Sequence, residues 1–386
     1  MPSWWSSFLD FFRGDPSHKQ FNQAKKLYAK FEASNGQDLK ALNESLATFE
    51  LALNNRRKTK DGVPHSDLDI TLTTYASALW KRYEAKKSPS DLHKVIELDE
   101  EAYILWENTD PASRPSDYAN LLFDLGNAYY SQYEANHKLS GMLEKAIEKY
   151  EKLTNETDIE NRRKGLVKLG IALRTWCDDE DISQTKTAEQ KATRLDSAIT
   201  YLLEAVDHDD GRETTESLTR SDTTQQQALL NLAMAYYLRF QDCRRRVDLD
   251  SAIESNRKAL KIITEGSGDY VYCLFDLAQQ LFAKYEYEQG RRSTGEHRLG
   301  EWLDVELKAN KGAKELKEAE GSLEKALKTL GVGSDVTLKT DMQKLLATVQ
   351  EHIQSLSRSP SRNASSQNLA QANPVATAPL QGASPT

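Results

Sequence analysis

Apolar positions along the chain recur at three- and four-residue spacings, and the clearest run is Leu229–Leu260. Leu229, Leu232, Ala233, Tyr236, Tyr237 and Phe240 fall on one broad helical face. After the polar, basic connection Gln241–Val247, the pattern resumes with Leu249, Ala252, Ile253, Ala259 and Leu260. The spacing predicts a helical hairpin, with Ala233 and Ala252 small where two backbones approach. One hairpin cannot bury its own apolar face, so the pattern implies neighbours to stack against.

Copies of that pattern fill the chain. The first-helix form is small-x-x-apolar-aromatic-x-x-aromatic, usually closed by an acid. It starts at Ala24 (Leu27, Tyr28, Phe31, Glu32), Ala76 (Leu79, Trp80, Tyr83, Glu84), Gly126 (Tyr129, Tyr130, Tyr133, Glu134) and Ala278 (Leu281, Phe282, Tyr285, Glu286). A weaker copy runs from Gly170 through Ala172, Leu173 and Cys177. Second-helix copies follow at Ser45-Leu46, Val95-Ile96, Ala146-Ile147, Ala198-Ile199 and Ala319. With the template, that makes six hairpins in one register. Their small anchors at 24, 76, 126, 170, 233 and 278 are 52, 50, 44, 63 and 45 residues apart.

The hairpins resemble tetratricopeptide repeats, with Gly126, Tyr129, Ala146 and Tyr150 the best match. Their period exceeds the usual unit of about 34 residues, so they look like the long-helix variety of kinesin light chains and fungal multi-repeat arrays. The resemblance implies an all-α, right-handed α-solenoid of about six stacked hairpins over residues 18–330, with first helices lining a concave groove that takes a peptide or helix of a protein partner. A chaperone-binding subclass grips acidic C-terminal peptides through a Lys/Asn/Lys/Arg clamp. Asn127 matches its first Asn, but Phe123 holds the paired Lys position, and Lys164 and Lys168 lack the accompanying Asn.

Beyond the array, Val336, Leu338, Met342, Leu345, Leu346, Val349 and Ile353 predict a capping helix over 334–356. From Ser357 to Thr386 the composition turns to Ser, Pro, Ala and Asn, too poor in large apolar residues to fold. Before the array, residues 1–17 carry Trp4, Trp5, Phe8, Phe11 and Phe12. That apolar segment reads as a cap on the first hairpin, or alternatively as an anchor to a membrane surface or partner. Breaks in the pattern at Asp178–Arg194, Asp207–Thr224 and Glu288–Lys314 read as polar insertions. Arg56–Lys60 reads as a solvated basic loop, with a nuclear import signal as the alternative. Ser66-Asp67, Ser90-Asp91 and Ser116-Asp117 read as helix starts.

Composition narrows the function. The 386 residues are 28% charged with ten prolines, as a helical chain requires, and the formal net charge of −8 argues against a nucleic-acid partner, since phosphate binding needs a basic surface. Cys177, Cys243 and Cys273 are an odd number without CxxC spacing and read as reduced thiols, which suits the cytoplasm or the nucleus. The seven histidines are scattered, and neither a P-loop nor GxSxG occurs. No catalytic residue, cofactor, metal or small-molecule substrate is therefore assigned. The expected function is a non-enzymatic scaffold or adaptor. Its binding residues are sought one position after the residue that packs inside each hairpin, at Tyr28, Trp80, Tyr130, Arg174, Tyr237 and Phe282. Helical phase places this ladder at the groove edge, flanked by Phe123, Asn127, Lys168 and Gln279.

Overall fold

The computed structural model describes residues 16–57, 65–107, 117–179, 187–207, 223–293, 304–330 and 335–358. Among these lie thirteen helices and no strand. Ten form unit 1, Met1–Ile262: α1 Pro16–Ala33, α2 Leu39–Arg57, α3 Leu68–Lys86, α4 Pro89–Glu107, α5 Tyr118–Ala135, α6 Ser140–Thr154, α7 Ile159–Asp178, α8 Ala188–Asp207, α9 Thr223–Cys243 and α10 Arg246–Ile262. Each odd helix packs antiparallel on the even helix that follows, and each even helix packs on the next odd one. Unit 1 is thus an all-α solenoid of five hairpins. Unit 2, Ile263–Thr386, holds α11 Gly268–Ser293, α12 Asp304–Thr329 and α13 Val336–Arg358. There α11 and α12 pair as the sixth hairpin, and α13 lies mainly on α12, as a capping helix should.

The small anchors sit where the sequence requires them. Ala24, Ala76, Ala233 and Ala278 are at most 1% exposed. At Gly126 and Gly170 even a methyl group is too large. A Cβ would stand 2.5 Å from Tyr150 Cε1 and 2.5 Å from Leu202 Cγ, respectively. Both neighbours occupy the same place, four residues past the second-helix anchors Ala146 and Ala198.

A second recurrent device ties the two helices of a hairpin together. Arg82 and Arg239, six residues past their anchors, pair with Asp91 at 2.6 Å and Asp248 at 2.7 Å, four residues before the next anchors. In unit 2 the same places hold Lys284 and Glu315, 3.1 Å apart. Hairpin four substitutes the Arg194 guanidinium over the Trp176 ring, 4.1 Å from its centroid. Asp248 is buried, and although burial alone would raise its pKa, hydrogen bonds from Arg245 and Arg239 hold it below the usual carboxylate range.

Several local expectations need correction. Asp91 does not start α4, which begins at Pro89; Arg82 draws its carboxylate away. Asp67 and Asp117 flank helices without capping them through their side chains. Working caps are instead Asp38, which accepts from Ala41 N at 2.9 Å, and Asp158, which accepts from Asn161 N at 2.8 Å. Thr187 and Gln190 form a reciprocal capping box. The Asp178–Arg194 stretch is therefore helical from Ala188. Glu288–Lys314 is helical through Ser293 and again from Asp304, with 294–303 outside the described residues.

Arg56 belongs to no solvated loop. Its side chain is fully buried, donates to Asp67 O at 2.7 Å and lies 4.6 Å from the Phe21 ring centroid. The remaining basic residues 58–60, the N-terminal Trp4, Trp5, Phe8 and Phe12, and the tail beyond 358 lie outside the described residues.

Three first helices end alike. Asn35, Lys87 and Arg244, each four residues past the closing aromatic, adopt φ of 51–52°. Lys87 and Arg244 donate their amides back to Tyr83 O and Phe240 O at 2.7 Å, and their charged ends lie over those same rings. Such left-handed residues are usually Gly or Asn. Here Lys and Arg take the strained position and gain a cation–π contact.

Candidate functional site

The inner side of unit 1 follows from which helices crowd together. First helices approach one another, α5 on α7 and α7 on α9, more closely than any successive second helices do. Second helices are bridged by long side chains instead. Lys145 reaches Glu100 at 3.1 Å, Lys152 reaches Glu107 at 2.8 Å, and Lys149 lies 4.0 Å from the Tyr103 ring centroid. From α5 to α9 the odd helices therefore line the concave face.

On that face the ladder residues are half-buried. Each aromatic rests on the closing aromatic three residues on. Centroid distances are 6.1 Å for Tyr28–Phe31, 5.4 Å for Trp80–Tyr83, 6.3 Å for Tyr130–Tyr133 and 6.2 Å for Tyr237–Phe240. Tyr28 and Tyr130 also reach toward the next first helix. Tyr130 and Thr175 of α7 share a hydrogen bond at 2.9 Å, and Glu84 of α3 lies within electrostatic reach of Tyr28. Burial first, then Glu32 and Glu84, push the Tyr28 phenol up to about 12. Trp80 Nε1 donates to Glu84 at 3.0 Å. Arg174 is 12% exposed, reaches Asp178 at 3.5 Å and keeps a buried Nε without an acceptor among the described residues. The ladder thus forms walls between first helices, with part of each ring open.

Phe282 and Gln279 belong to unit 2. There Phe282 rests on Tyr285, at 6.3 Å, and on His352 of α13, at 5.4 Å. The last helix covers that ring.

Between the walls runs a floor of which the sequence reading named Asn127 and Lys168 but not the stripe they belong to. It is the stripe two positions before and one and five after each anchor: Asp124, Asn127 and Ser131 on α5, then Lys168, Ile171 and Thr175 on α7. On α9 it is Asn231, Met234 and Leu238. Asn127 Oδ1 accepts a 2.9 Å hydrogen bond from Tyr150, whose ring reaches through beside Gly126. The Lys168 ammonium stands 5.9 Å from the Phe123 ring centroid, and burial lowers its pKa against the opposing pull of Glu134. Solvent reaches Asp124, yet crowding by protein on all sides is the main cause that pushes its carboxyl up to about 6, against Lys81. An accessible but crowded group is what a concave floor produces.

Toward α9 the floor turns apolar, with Met234 37% exposed beside half-buried Ile171 and Leu238. The chaperone clamp does not assemble around Asn127: Tyr150 engages its carbonyl, and Lys164 pairs with Glu160 at 3.3 Å. Among the described residues no group of His, Cys, Asp and Glu is arranged to hold a metal ion, and no helix is long and apolar enough to cross a membrane.

No family model matches the sequence, and no curated protein matches it either. Among solved structures, the chain is similar to TTC0263, a thermophilic TPR protein of Thermus thermophilus, at 15% identity and a TM-score of 0.40, over 72% of this chain and 99% of that one. It is similar to a Podospora anserina putative kinesin light chain with TPR-like repeats at 16% identity and 0.39, over 64% and 98%. A third similarity is to the S. pombe nuclear import adaptor Nro1, at 13% identity and 0.44, over 86% and 99%.

Proposed function

We propose that this tetratricopeptide-like array is a protein-interaction scaffold whose unit 1 binds a segment of a partner, a peptide or a helix, along its concave face. One observation carries the reading: Ile171, Met234 and Leu238 place apolar surface on a concave floor, beside half-open aromatic walls. Ile171 and Leu238 pack partly against the core and keep the rest of their surface open, while Met234 is 37% exposed. They are the kind of anchor that an amphipathic segment buries. The charged floor of α3 and α5 continues the same surface and would set direction and register of the bound segment.

The floor supplies a sharper test than the walls. Met234→Glu introduces charge without removing a packed ring. With a photo-crosslinking residue at position 231, the wild-type chain should capture a discrete partner from its native cells, and Met234→Glu should abolish capture with an unchanged melting temperature. Equal crosslinking by both chains would place the binding surface elsewhere.

A further inference from the structure

From α4 onward, one place on each second helix of unit 1 is filled by a large side chain. It stands three residues past the second-helix anchor. Leu98 of α4 is fully buried there. Lys149 of α6 crosses to lie 4.0 Å from the ring centroid of Tyr103 on α4. Tyr201 of α8 packs against the cluster that holds Leu166 and Val167. In α10 the place falls to Ser255, whose hydroxyl turns back to Ser251 O of its own helix at 2.9 Å.

The neighbouring places change with it. One residue before the anchor, Lys145 of α6 bridges to Glu100, whereas α10 has Ser251. Five residues past the anchor, Glu50, Glu100 and Glu151 give way on α8 to Leu203, which is 37% exposed. Eight past it, where α4 carries Tyr103, α8 carries Val206. The result is a cavity of about 400 Å³ between α8 and α10, floored by Leu229, Leu232 and Tyr236 of α9. These floor residues stand four and one before and three after Ala233, on a different face of α9 from the concave stripe. Val247, which also lines the cavity, is 72% exposed. Stacking alone would close this gap as it is closed between the earlier hairpins, because an unfilled apolar place forfeits packing energy.

We propose that the cavity between α8 and α10 is a second docking site of unit 1. It takes a peptide segment of a partner protein that inserts one large apolar side chain beside a Lys or Arg. The site is separate from the concave face and stands independently of the reading above. The chemistry of its occupant follows from what fills the same place in the other hairpins: a leucine, a lysine stem or a tyrosine ring. Charge selects the neighbouring residue. Asp207, Asp250 and Glu254 line the cavity with a single ammonium, that of Lys258, and Arg246 answers Asp250 at 3.5 Å. Glu254 holds the place of Glu148, which receives the Lys149 ammonium at 2.8 Å on α6. A lysine arriving from a partner would meet Glu254 as Lys149 meets Glu148.

The test titrates the full chain into fluorescein-labelled nonapeptide pools and follows anisotropy. Their two central residues are fixed as Leu-Lys, Leu-Glu or Ala-Lys, and the other positions are equimolar mixtures. The Leu-Lys pool should bind about tenfold tighter than the Ala-Lys pool, the scale of burying a leucine side chain. It should bind about threefold tighter than the Leu-Glu pool, the scale of one half-exposed ion pair. Ser255→Leu, which installs the residue of α4, should raise the melting temperature and erase the preference for Leu over Ala. Glu254→Lys, a change at an exposed residue, should reverse the order of the Leu-Lys and Leu-Glu pools. Met234→Glu, on the concave floor, should leave every preference unchanged. Equal binding of the Leu-Lys and Ala-Lys pools, or failure of every pool to bind, overturns the site. So does a Leu preference that survives Ser255→Leu, or a Lys preference that survives Glu254→Lys. Preferences lost in Met234→Glu assign the peptides to the concave face and overturn it as well. A lowered melting temperature in Ser255→Leu means that the place is not open, with the same consequence.

Discussion

Gly126→Ala sets two effects of known size against each other. In the middle of α5, alanine gains about 1 kcal/mol of helix propensity over glycine. The added Cβ, however, would stand 2.5, 2.9 and 3.0 Å from Cε1, Cδ1 and Cζ of Tyr150, where carbon contacts favour roughly 3.5–4.0 Å. The ring must retreat by about 1 Å, and it has nowhere to go because Tyr150 is 1% exposed. Overpacking of this kind costs roughly 1–3 kcal/mol. A retreating ring also draws its hydroxyl from Asn127, now 2.9 Å away, which forfeits about 1 kcal/mol more. Strain wins, so the variant should lose roughly 1–3 kcal/mol in urea melts followed by circular dichroism.

A double-mutant cycle isolates the cause. In a Tyr150→Ala background the obstacle is gone, and Gly126→Ala should stabilise by about 1 kcal/mol. Gly321, exposed within α12 with nothing near its absent Cβ, is the control, and Gly321→Ala should stabilise by a similar amount. If Gly126→Ala stabilises the unaltered chain as Gly321→Ala does, the approach of Tyr150 is not what demands glycine there.

Asp248→Asn should lower stability in the same melts by leaving Arg239 with Asp196, at 2.5 Å, as its remaining carboxylate, whereas Arg239→Met with Asp248→Leu should recover most of that loss. Cys243, which is exposed, should be alkylated by iodoacetamide in the folded chain, while Cys177 and Cys273, whose thiols burial pushes up to about 12, should react only on unfolding, as mass spectrometry of the digests would report. Asp99 and Asp124, faced by Lys81 of α3 and by the phenols of Tyr129 and Tyr150, carry raised pKa values, Asp124 up to about 6, so the folded chain binds more protons than the unfolded one and their contribution to stability falls as pH rises above about 4. Melting temperatures of wild type and Asp99→Asn/Asp124→Asn should therefore converge at pH 4 and separate, with the variant higher, at pH 7; a constant gap would refute the assignment.

The hairpins were legible because burial leaves a period. A helix covered on one face must repeat apolar residues at three and four, and small residues must recur where helices cross. Hence Ala24, Ala76, Gly126, Gly170, Ala233 and Ala278 mark every first helix. Helix ends were read less well because a Ser-Asp pair has several uses for its carboxylate. Asp91 answers Arg82 across the hairpin turn, and only the later pairs Arg239–Asp248 and Lys284–Glu315 reveal that rule. Lys87 and Arg244 stop their helices in a conformation that normally asks for glycine, and nothing in their identity announces it.

The floor of the groove leaves no such period. Asp124, Lys168 and Asn231 occupy one place on three successive helices and share neither charge nor size, because solvent rather than a neighbour faces them there. The aromatic ladder was visible for the opposite reason. Its rings are half engaged in packing against the closing aromatics, and packing imposes repetition. What repeats in such an array is what holds it together, and what varies at a fixed place is where selectivity has room to reside. The place four residues past the second-helix anchor shows this most plainly. Phe49, Tyr150 and Leu202 fill it with packing side chains, whereas Asp99 and Asn256 place buried polar groups there.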